Sequence, residues 1–318
     1  MTQNWTTKDI PSQRGRTIVV TGTGGLGYQT ALALAQAGGD VVIAGRNPNK
    51  GDEAVFSILQ VCPSATVSFE PVDLADLASI AAFGRRLATR KGSVDILINN
   101  AGVMTPPERR TTADGFEMQF GVNYLGHFAL TAHLLPLLRR AEDPRVVTLS
   151  SVAARSGSID FEDLQAVSAY KPMPVYSQSK LACLMFALEL QRRSWEEGWG
   201  VTSLAAHPGI ARTELLHNAP GRYSPQGLVR TAGWFLFQPA ARGALPTLYA
   251  ATSPDAKGGA YYGPDRLWET RGHPAPARVP ETALDVAVAE RLWTISERLA
   301  GVNFGSAPWY SANALQVA

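Results

Sequence analysis

Tyr176 and Lys180 stand four positions apart in a stretch, Val175 to Glu197, whose spacing predicts a helix, so both side chains project from one helical face. An ammonium group so placed would favour the phenolate form of the tyrosine. Such a tyrosine can give a proton to a carbonyl oxygen or take one from an alcohol. Two more polar groups end short apolar runs: Asn99-Asn100-Ala101-Gly102 and Ser150-Ser151. A third segment, Thr21-Gly22-Thr23-Gly24-Gly25-Leu26-Gly27, closes the run Thr17 to Thr21 and passes straight into a helical pattern. Gly22, Gly24 and Gly27 satisfy GxGxxG in a strand–turn–helix setting. There the absent Cβ atoms let backbone approach a pyrophosphate at the positive end of a helix. A flexible glycine turn is the alternative reading. The chemistry on offer is proton transfer by Tyr176 coupled to hydride movement to or from a nicotinamide.

The end of the second strand bears on which dinucleotide would bind. NAD-selective sites normally place a carboxylate there for the ribose hydroxyls. Here Ile43-Ala44-Gly45-Arg46-Asn47 contains no acid. Arg46 would offer a planar cation to a 2′-phosphate, with Lys50 one turn along, so NADP(H) is the preferred cofactor and NAD(H) stays open. A solvated arginine after a strand is the alternative reading.

These residues need a scaffold that brings strand ends together, and the hydrophobic rhythm supplies one. Runs Thr17–Thr21, Val41–Ala44, Thr66–Val72, Val94–Ile98, Arg145–Leu149 and Val201–Ala206 read as strands. Between them, Leu26–Gly38, Asn49–Val61, Asp76–Arg90, a long stretch through Gly115–Arg140, and Val175–Glu197 read as helices. Apolar runs without polar alternation are covered on both faces, and regular alternation with helices implies right-handed crossovers. The expectation is an α/β fold: a doubly wound, Rossmann-type parallel sheet of about seven strands in one domain, with helices on both faces. Ligands of such sheets bind outside the carboxyl ends of the strands, where the three polar segments converge. The division expected is a polar lead over 1–15, the nucleotide-binding domain over 16–263, and an extension over 264–318. Within these, a helix falls near Pro239–Ala251, a short strand at Ala260–Tyr262, an irregular loop over 264–281, and an amphipathic helix over Leu284–Leu299. The bulky segment 214–238, with Leu228, Trp234, Phe235 and Phe237, has three readings: a lid over an apolar substrate, plain core, or a contact with a membrane surface.

Composition excludes several classes. In 318 residues, 45% are hydrophobic and 18% charged, enough for a large core and too apolar for a disordered chain. With 29 Lys and Arg against 27 Asp and Glu, the net charge of +2 makes no case for binding nucleic acid. Cys62 and Cys183 form no CxxC, and His127 and His133 are poorly spaced for one metal, so no metal site is expected. No run reaches the length of a membrane span, and the polar start has no apolar core like that of a signal peptide. With two free thiols, a soluble cytoplasmic protein is the expectation.

Taken in order, the chain resembles the short-chain dehydrogenase/reductase family. The resemblance runs strongly over Arg16–Thr213. It is carried by the glycine turn, Val72-Asp73-Leu74, the NNAG of 99–102, Asn123 in GVNYLGHF, Ser151, the Tyr176/Lys180 pair, and Pro208-Gly209 with Thr213. Residues 175–190 (VYSQSKLACLMFALEL) and the long SGSIDFEDLQAVSAYKPMPV segment before Tyr176 look like its retinol dehydrogenase-like branch, which acts on apolar alcohols and carbonyl compounds. The resemblance implies that Tyr176 is the general acid/base and that Lys180 assists it and holds the nicotinamide ribose. Ser151, the second serine of its pair, would bond the substrate oxygen, and Asn123 would anchor a water in a proton relay. On the cofactor side it implies roles for Gly22, Thr23, Gly24, Gly25, Leu26, Gly27, Arg46, Asn47, Asp73, Leu74, Asn100, Ala101, Gly102, Pro208, Gly209 and Thr213, with Asp73 at the adenine and Thr213 at the carboxamide. The small-molecule substrate would be a medium-sized apolar carbonyl or alcohol. Reduction of an activated C=C bond and a non-catalytic NADP(H) sensor are the rivals. A homodimer or homotetramer is implied, unless the C-terminal extension covers the helices around Asn123 and Tyr176. One departure stands out: Gly22 and Gly25 enclose only Thr23 and Gly24, one residue fewer than the family's turn.

Overall fold

Aliphatic strands with no polar alternation need cover on both faces, and the chain meets that demand with one sheet between two helical layers. The computed structural model describes residues 4–211 and 238–305. Thr213 and nearly all of the expected lid, 214–237, therefore lie outside the described residues. The strands are β1 (Thr17–Thr21), β2 (Asp40–Gly45), β3 (Thr66–Pro71), β4 (Ile96–Asn99), β5 (Arg145–Leu149), β6 (Thr202–Ala206), β7 (Tyr261–Arg266) and β8 (Arg271–Pro276). Their spatial order is β3-β2-β1-β4-β5-β6-β7-β8, parallel through β7, with β8 antiparallel at the edge. Residues of β1 alternate between the two layers: Val19 joins one core, and Ile18 and Val20 join the other.

The helices are α1 (Gly25–Gln36), α2 (Pro48–Val61), α3 (Leu77–Arg90), α4 (Gly126–Leu138), α5 (Pro172–Glu196), α6 (Ala240–Gly243), α7 (Leu245–Thr252) and α8 (Val286–Ala300). Their ends follow capping chemistry. Asp76 caps α3 by accepting from Ala78 and Ser79 N–H, Asp285 caps α8, and Gly301 ends α8 with φ of 62°.

Three expectations are corrected. The sheet has eight strands among the described residues, where about seven were expected, and 264–281 is not an irregular loop but supplies the end of β7 and all of β8. Its prolines and arginines read as loop signals, yet an edge strand tolerates proline because one side of its backbone needs no partner. The stretch Gly115–Arg140 is not one α-helix. Thr112–Phe116 forms a turn, and Phe120–Leu125 is a π turn that runs into α4. The helix near Pro239–Ala251 breaks at Ala244 into α6 and α7.

The C-terminal helix lies on α4 and α5. Trp293 packs edge-on to Phe128, with ring centroids 5.0 Å apart, and stacks on Phe186 at 5.8 Å; Phe304 closes the cluster against Trp199. The helices around Asn123 and Tyr176 are thus covered by the chain's own extension, and α8 belongs to the main core. Trp293 is fully buried. Trp293→Ala should therefore cost about 3–5 kcal/mol of unfolding free energy in a denaturant titration, the range for emptying a large aromatic site. A loss below about 1 kcal/mol would mean that the extension is not part of the cooperative fold.

Candidate active site

Strand order reverses between β1, which continues to β2, and β4, which continues to β5, so a crevice opens at the carboxyl ends of β1 and β4. Thr21, the last residue of β1, ties its two sides together. Its hydroxyl accepts from Asn100 N–H (2.9 Å) and Ala101 N–H (3.0 Å), and its carbonyl accepts from Asn100 Nδ2 at 2.6 Å. On the other side of the crevice, Gly22 has φ of 99°, open to glycine and strained for other residues. A Cβ on Gly27 would overlap the Gly22 carbonyl and come within 2.7 Å of Asn100 Nδ2. The N-cap of α1 is Gly24, which offers no side-chain cap, so its first-turn N–H groups face the crevice with their partial positive charge uncompensated. A bare helix N-terminus behind two Cβ-free positions fits a pyrophosphate. The turn does this one residue short of the family pattern: Thr23 packs its methyl toward Gly45, and α1 starts directly at Gly25.

A cavity of about 260 Å³ continues from this crevice. Ser151, Tyr176 and Lys180 line it together with Asn100 and Gly102, and Leu26, Pro208, Gly209 and Ile210 form the opposite wall. Val103, Met104, Ala153 and Met173 make the remainder largely apolar. Pro172, with its fixed φ, starts α5, so Tyr176 and Lys180 fall in its first turns and face β5. Lys180 is 6% exposed and donates to the Leu149 carbonyl at 3.0 Å. Both serines border the cavity: Ser150 Oγ donates to the Lys180 carbonyl at 2.7 Å, buried, whereas Ser151 caps the short turn Val152–Ser156.

Asn123 sits behind this wall. Its Oδ1 accepts from Val103 N–H at 2.7 Å, and its Nδ2 donates to the Val103 carbonyl and to Ser179 Oγ. A Cβ on Gly102 would lie 3.0 Å from that Oδ1 and 3.7 Å from Lys180 Nζ. The Asn123 carbonyl, inside the π turn, accepts from His127 Nδ1 (2.9 Å) and Cys183 Sγ (3.1 Å). With Nδ1 protonated, His127 Nε2 faces the Thr21 hydroxyl at 2.9 Å. One imidazole thus joins the glycine turn to Asn123. Sequence reading set His127 aside, because spacing tests it only as a metal ligand.

The remaining expected residues lie elsewhere. Arg46 is exposed at the end of β2, and Asn47 caps α2 by accepting from Lys50 N–H. Asp73 accepts from Ala75 N–H at 2.9 Å, at the end of β3, while Leu74 is buried against α4. Arg46, Asn47 and Asp73 thus lie at the carboxyl ends of β2 and β3, outside the cavity.

The wall at Pro208–Ile210 is held from the C-terminal hairpin. His207 Nδ1 accepts from Gly209 N–H at 3.2 Å, and its Nε2 lies 2.9 Å from Glu269 Oε2. Glu269 also pairs with Arg155, on the turn that Ser151 caps, and accepts from Arg278 N–H. Burial lowers the His207 pKa, and the partners His207 and Arg155 hold the Glu269 carboxyl below its usual range despite its own partial burial. Sequence reading gave His207 only the shaping of its turn and found no role for Glu269, which is 62 positions away.

A doubly wound sheet with a tyrosine–lysine pair beside a nucleotide turn defines an oxidoreductase of the Rossmann type. The model of the short chain dehydrogenase family matches residues 16–223, and the chain belongs to that family. Within it, the chain falls in the retinol dehydrogenase-like branch. It is 44% identical to retinol dehydrogenase 13 of Mus musculus over 91% of this chain and 84% of that protein. It is 41% identical to polyprenol dehydrogenase of Mus musculus over 93% and 87%. A crystal structure of an uncharacterized protein from Mycobacterium paratuberculosis superposes with a TM-score of 0.79 at 39% identity, covering 96% of this chain and all of that one. The protein is accordingly an oxidoreductase acting on the CH–OH/C=O couple.

His127 has a consequence for stability. Complete burial, reinforced by the nearby Lys180 charge and opposed by the bond to the Asn123 carbonyl, pushes its pKa down to about 4 from an ordinary 6.5. An unfolded chain takes up this proton below pH 6.5 and the folded one does not. The stabilisation is therefore complete above pH 6.5 and is lost as pH falls toward 4, about 3 kcal/mol in all. Unfolding titrations at pH 7.5 and 4.5 should show this loss for the native protein and a smaller one for His127→Gln; equal slopes would refute the assignment.

Proposed function

We propose that the protein is an NADP(H)-dependent enzyme interconverting a ketone or aldehyde and an alcohol on a medium-sized apolar substrate, with Tyr176 as general acid/base. The observation that carries this reading is that Ser151, Tyr176 and Lys180 line one apolar cavity that opens onto the crevice of the glycine turn. Retinol dehydrogenase 13 and polyprenol dehydrogenase are named for alcohols with long apolar bodies, which supports the substrate class. The exposed Arg46, with no acid at the end of β2, supports the coenzyme.

When bound, the nicotinamide supplies a hydride, with its electron pair, for reduction and accepts one for oxidation. Tyr176 delivers its phenolic proton to the substrate oxygen in reduction and removes the hydroxyl proton in oxidation. Ser151 would hydrogen-bond that same oxygen and orient it toward Tyr176. Lys180, oriented by the Leu149 carbonyl, places its positive charge where it stabilises negative charge growing on the phenolic oxygen. Asn123 braces the Gly102–Val103 wall and, through Ser179, the turn of α5 between Tyr176 and Lys180. Arg46 and Asn47 would face the adenosine ribose, Asp73 the adenine, and Gly22 to Gly27 the pyrophosphate.

A panel of apolar aldehydes and ketones offered with NADPH tests the activity through loss of the cofactor's near-ultraviolet absorbance. An enone that loses its C=C bond instead would favour the conjugate reductase, and binding without turnover would favour the sensor. Tyr176→Phe should lower kcat about 10²–10⁴-fold, the worth of a positioned acid/base, and leave NADPH affinity in calorimetry within about twofold. Full activity in that variant would defeat the mechanism. Arg46→Ala should weaken NADPH binding about tenfold and leave NADH binding unchanged, the loss of one charge-assisted phosphate contact; an equal effect on both would remove Arg46 from coenzyme choice.

A further inference from the structure

The tip of the β7–β8 hairpin presents Leu267 and Trp268 to solvent, 57% and 88% exposed. Three consecutive residues there, Leu267, Trp268 and Glu269, take left-handed backbone angles with φ of 48°, 53° and 65°, and none is glycine. Such a run is strained and persists only where its surroundings over-determine it. They do so here. Thr270 N–H bonds the Arg266 and Leu267 carbonyls, Thr270 Oγ1 donates to the Leu267 carbonyl at 2.8 Å, and Glu269 turns inward to Arg155 and His207. The fold thus holds the tip in a shape that pushes two large apolar side chains into water.

Beside the tip is a second cavity of about 270 Å³, lined by Arg242 of α6, Arg266 of β7 and Arg271 of β8, with Gln238, Leu267 and His273. Arg266 and Arg271 are directly opposed across the hairpin, a like-charge pair that weakens a ladder unless something anionic lies between. The acid at hand is Asp265, 3.8 Å from Arg266, and its Oδ1 also accepts from His273 N–H. Among the described residues, Arg242 and Arg271 have no ion pair. Guanidinium groups converging on one cavity match the oxygens of a phosphate, and an exposed tryptophan beside them matches the depth of lipid headgroups.

Both features are built onto the wall of the active-site cavity. The Thr270 carbonyl accepts from Ile210 N–H at 2.8 Å. Gln238 Nε2 donates to the Pro208 carbonyl at 2.7 Å, and its Oε1 accepts from Gly272 N–H. Among the described residues no helix is long and apolar enough to cross a membrane.

We propose that the β7–β8 tip and the arginine-lined cavity form a docking surface for an anionic phospholipid bilayer. Trp268 and Leu267 enter the headgroup layer, the arginines take a lipid phosphate, and the Pro208–Ile210 mouth is held at the surface from which an apolar substrate leaves the membrane. The substrate part rests on the proposed function; the docking itself does not.

The test is flotation of the full chain with vesicles of phosphatidylcholine alone and of phosphatidylcholine with phosphatidylglycerol. The native protein should float with the anionic vesicles and not with the neutral ones. Arg242→Gln and Arg271→Gln should each weaken that binding about fivefold, the worth of one basic residue at an anionic surface, and Trp268→Ser should weaken it at least as much. All three should reduce a water-soluble carbonyl compound as the native protein does, and turn over a substrate dissolved in vesicles more slowly. Equal binding to both vesicle types, or variants that float like the native protein, would overturn the proposal. So would a concentration-dependent dimer that Trp268→Ser abolishes without changing flotation, which would make the tip a contact between copies. Anionic flotation without turnover of any alcohol or carbonyl would sink the proposed function and leave the docking surface standing. Full turnover without flotation would do the reverse.

Discussion

An ammonium group held almost out of reach of water is the constraint around which the site is arranged. Lys180 is buried at the carboxyl end of β5, an interior strand, with the Leu149 carbonyl as its protein partner. A buried charge is tolerated only where its surroundings are polar and fixed. The neighbourhood supplies that setting. Ser150 ties the Lys180 carbonyl to the end of β5, Gly102 leaves room for the ammonium and for Asn123, and His127 stays neutral, so that it adds no second positive charge. The parallel register of β4 with β5 brings these loops to a common level.

The π turn Phe120–Leu125 belongs to the same arrangement. Its Asn123 carbonyl takes side-chain bonds from His127 and Cys183, and the Asn123 side chain braces the Val103 loop. Thr21 completes the link by binding the Asn100 and Ala101 amides. The nucleotide turn, the wall of the cavity and the helix bearing Tyr176 are therefore mechanically one body, linked by buried hydrogen bonds that are expensive to break.

The C-terminal part of the chain adds a second layer of control. The C-terminal segment covers α4 and α5 through Trp293 of α8 and Phe304 just after it. The hairpin β7–β8 grips the Pro208–Ile210 wall through Glu269 and His207. What reads as an appendix after the nucleotide-binding domain is thus continuous with its sheet and its site.

The sequence by itself determined the doubly wound order of strands and helices, because buried parallel strands and amphipathic helices each leave a local hydrophobic pattern. It also marked Gly22, Gly27, the Ser150-Ser151 pair, Tyr176 and Lys180, because those positions follow from backbone room, strand ends and one turn of helix; the choice of Ser151 within its pair came from the family resemblance alone. It did not reveal β8, whose prolines are acceptable only at an edge that no local pattern announces. Nor did it reveal the roles of His127 and Glu269. Each acts through partners 106 and 62 positions away, and a hydrogen bond of that span exists only once the sheet has set which strand ends are neighbours.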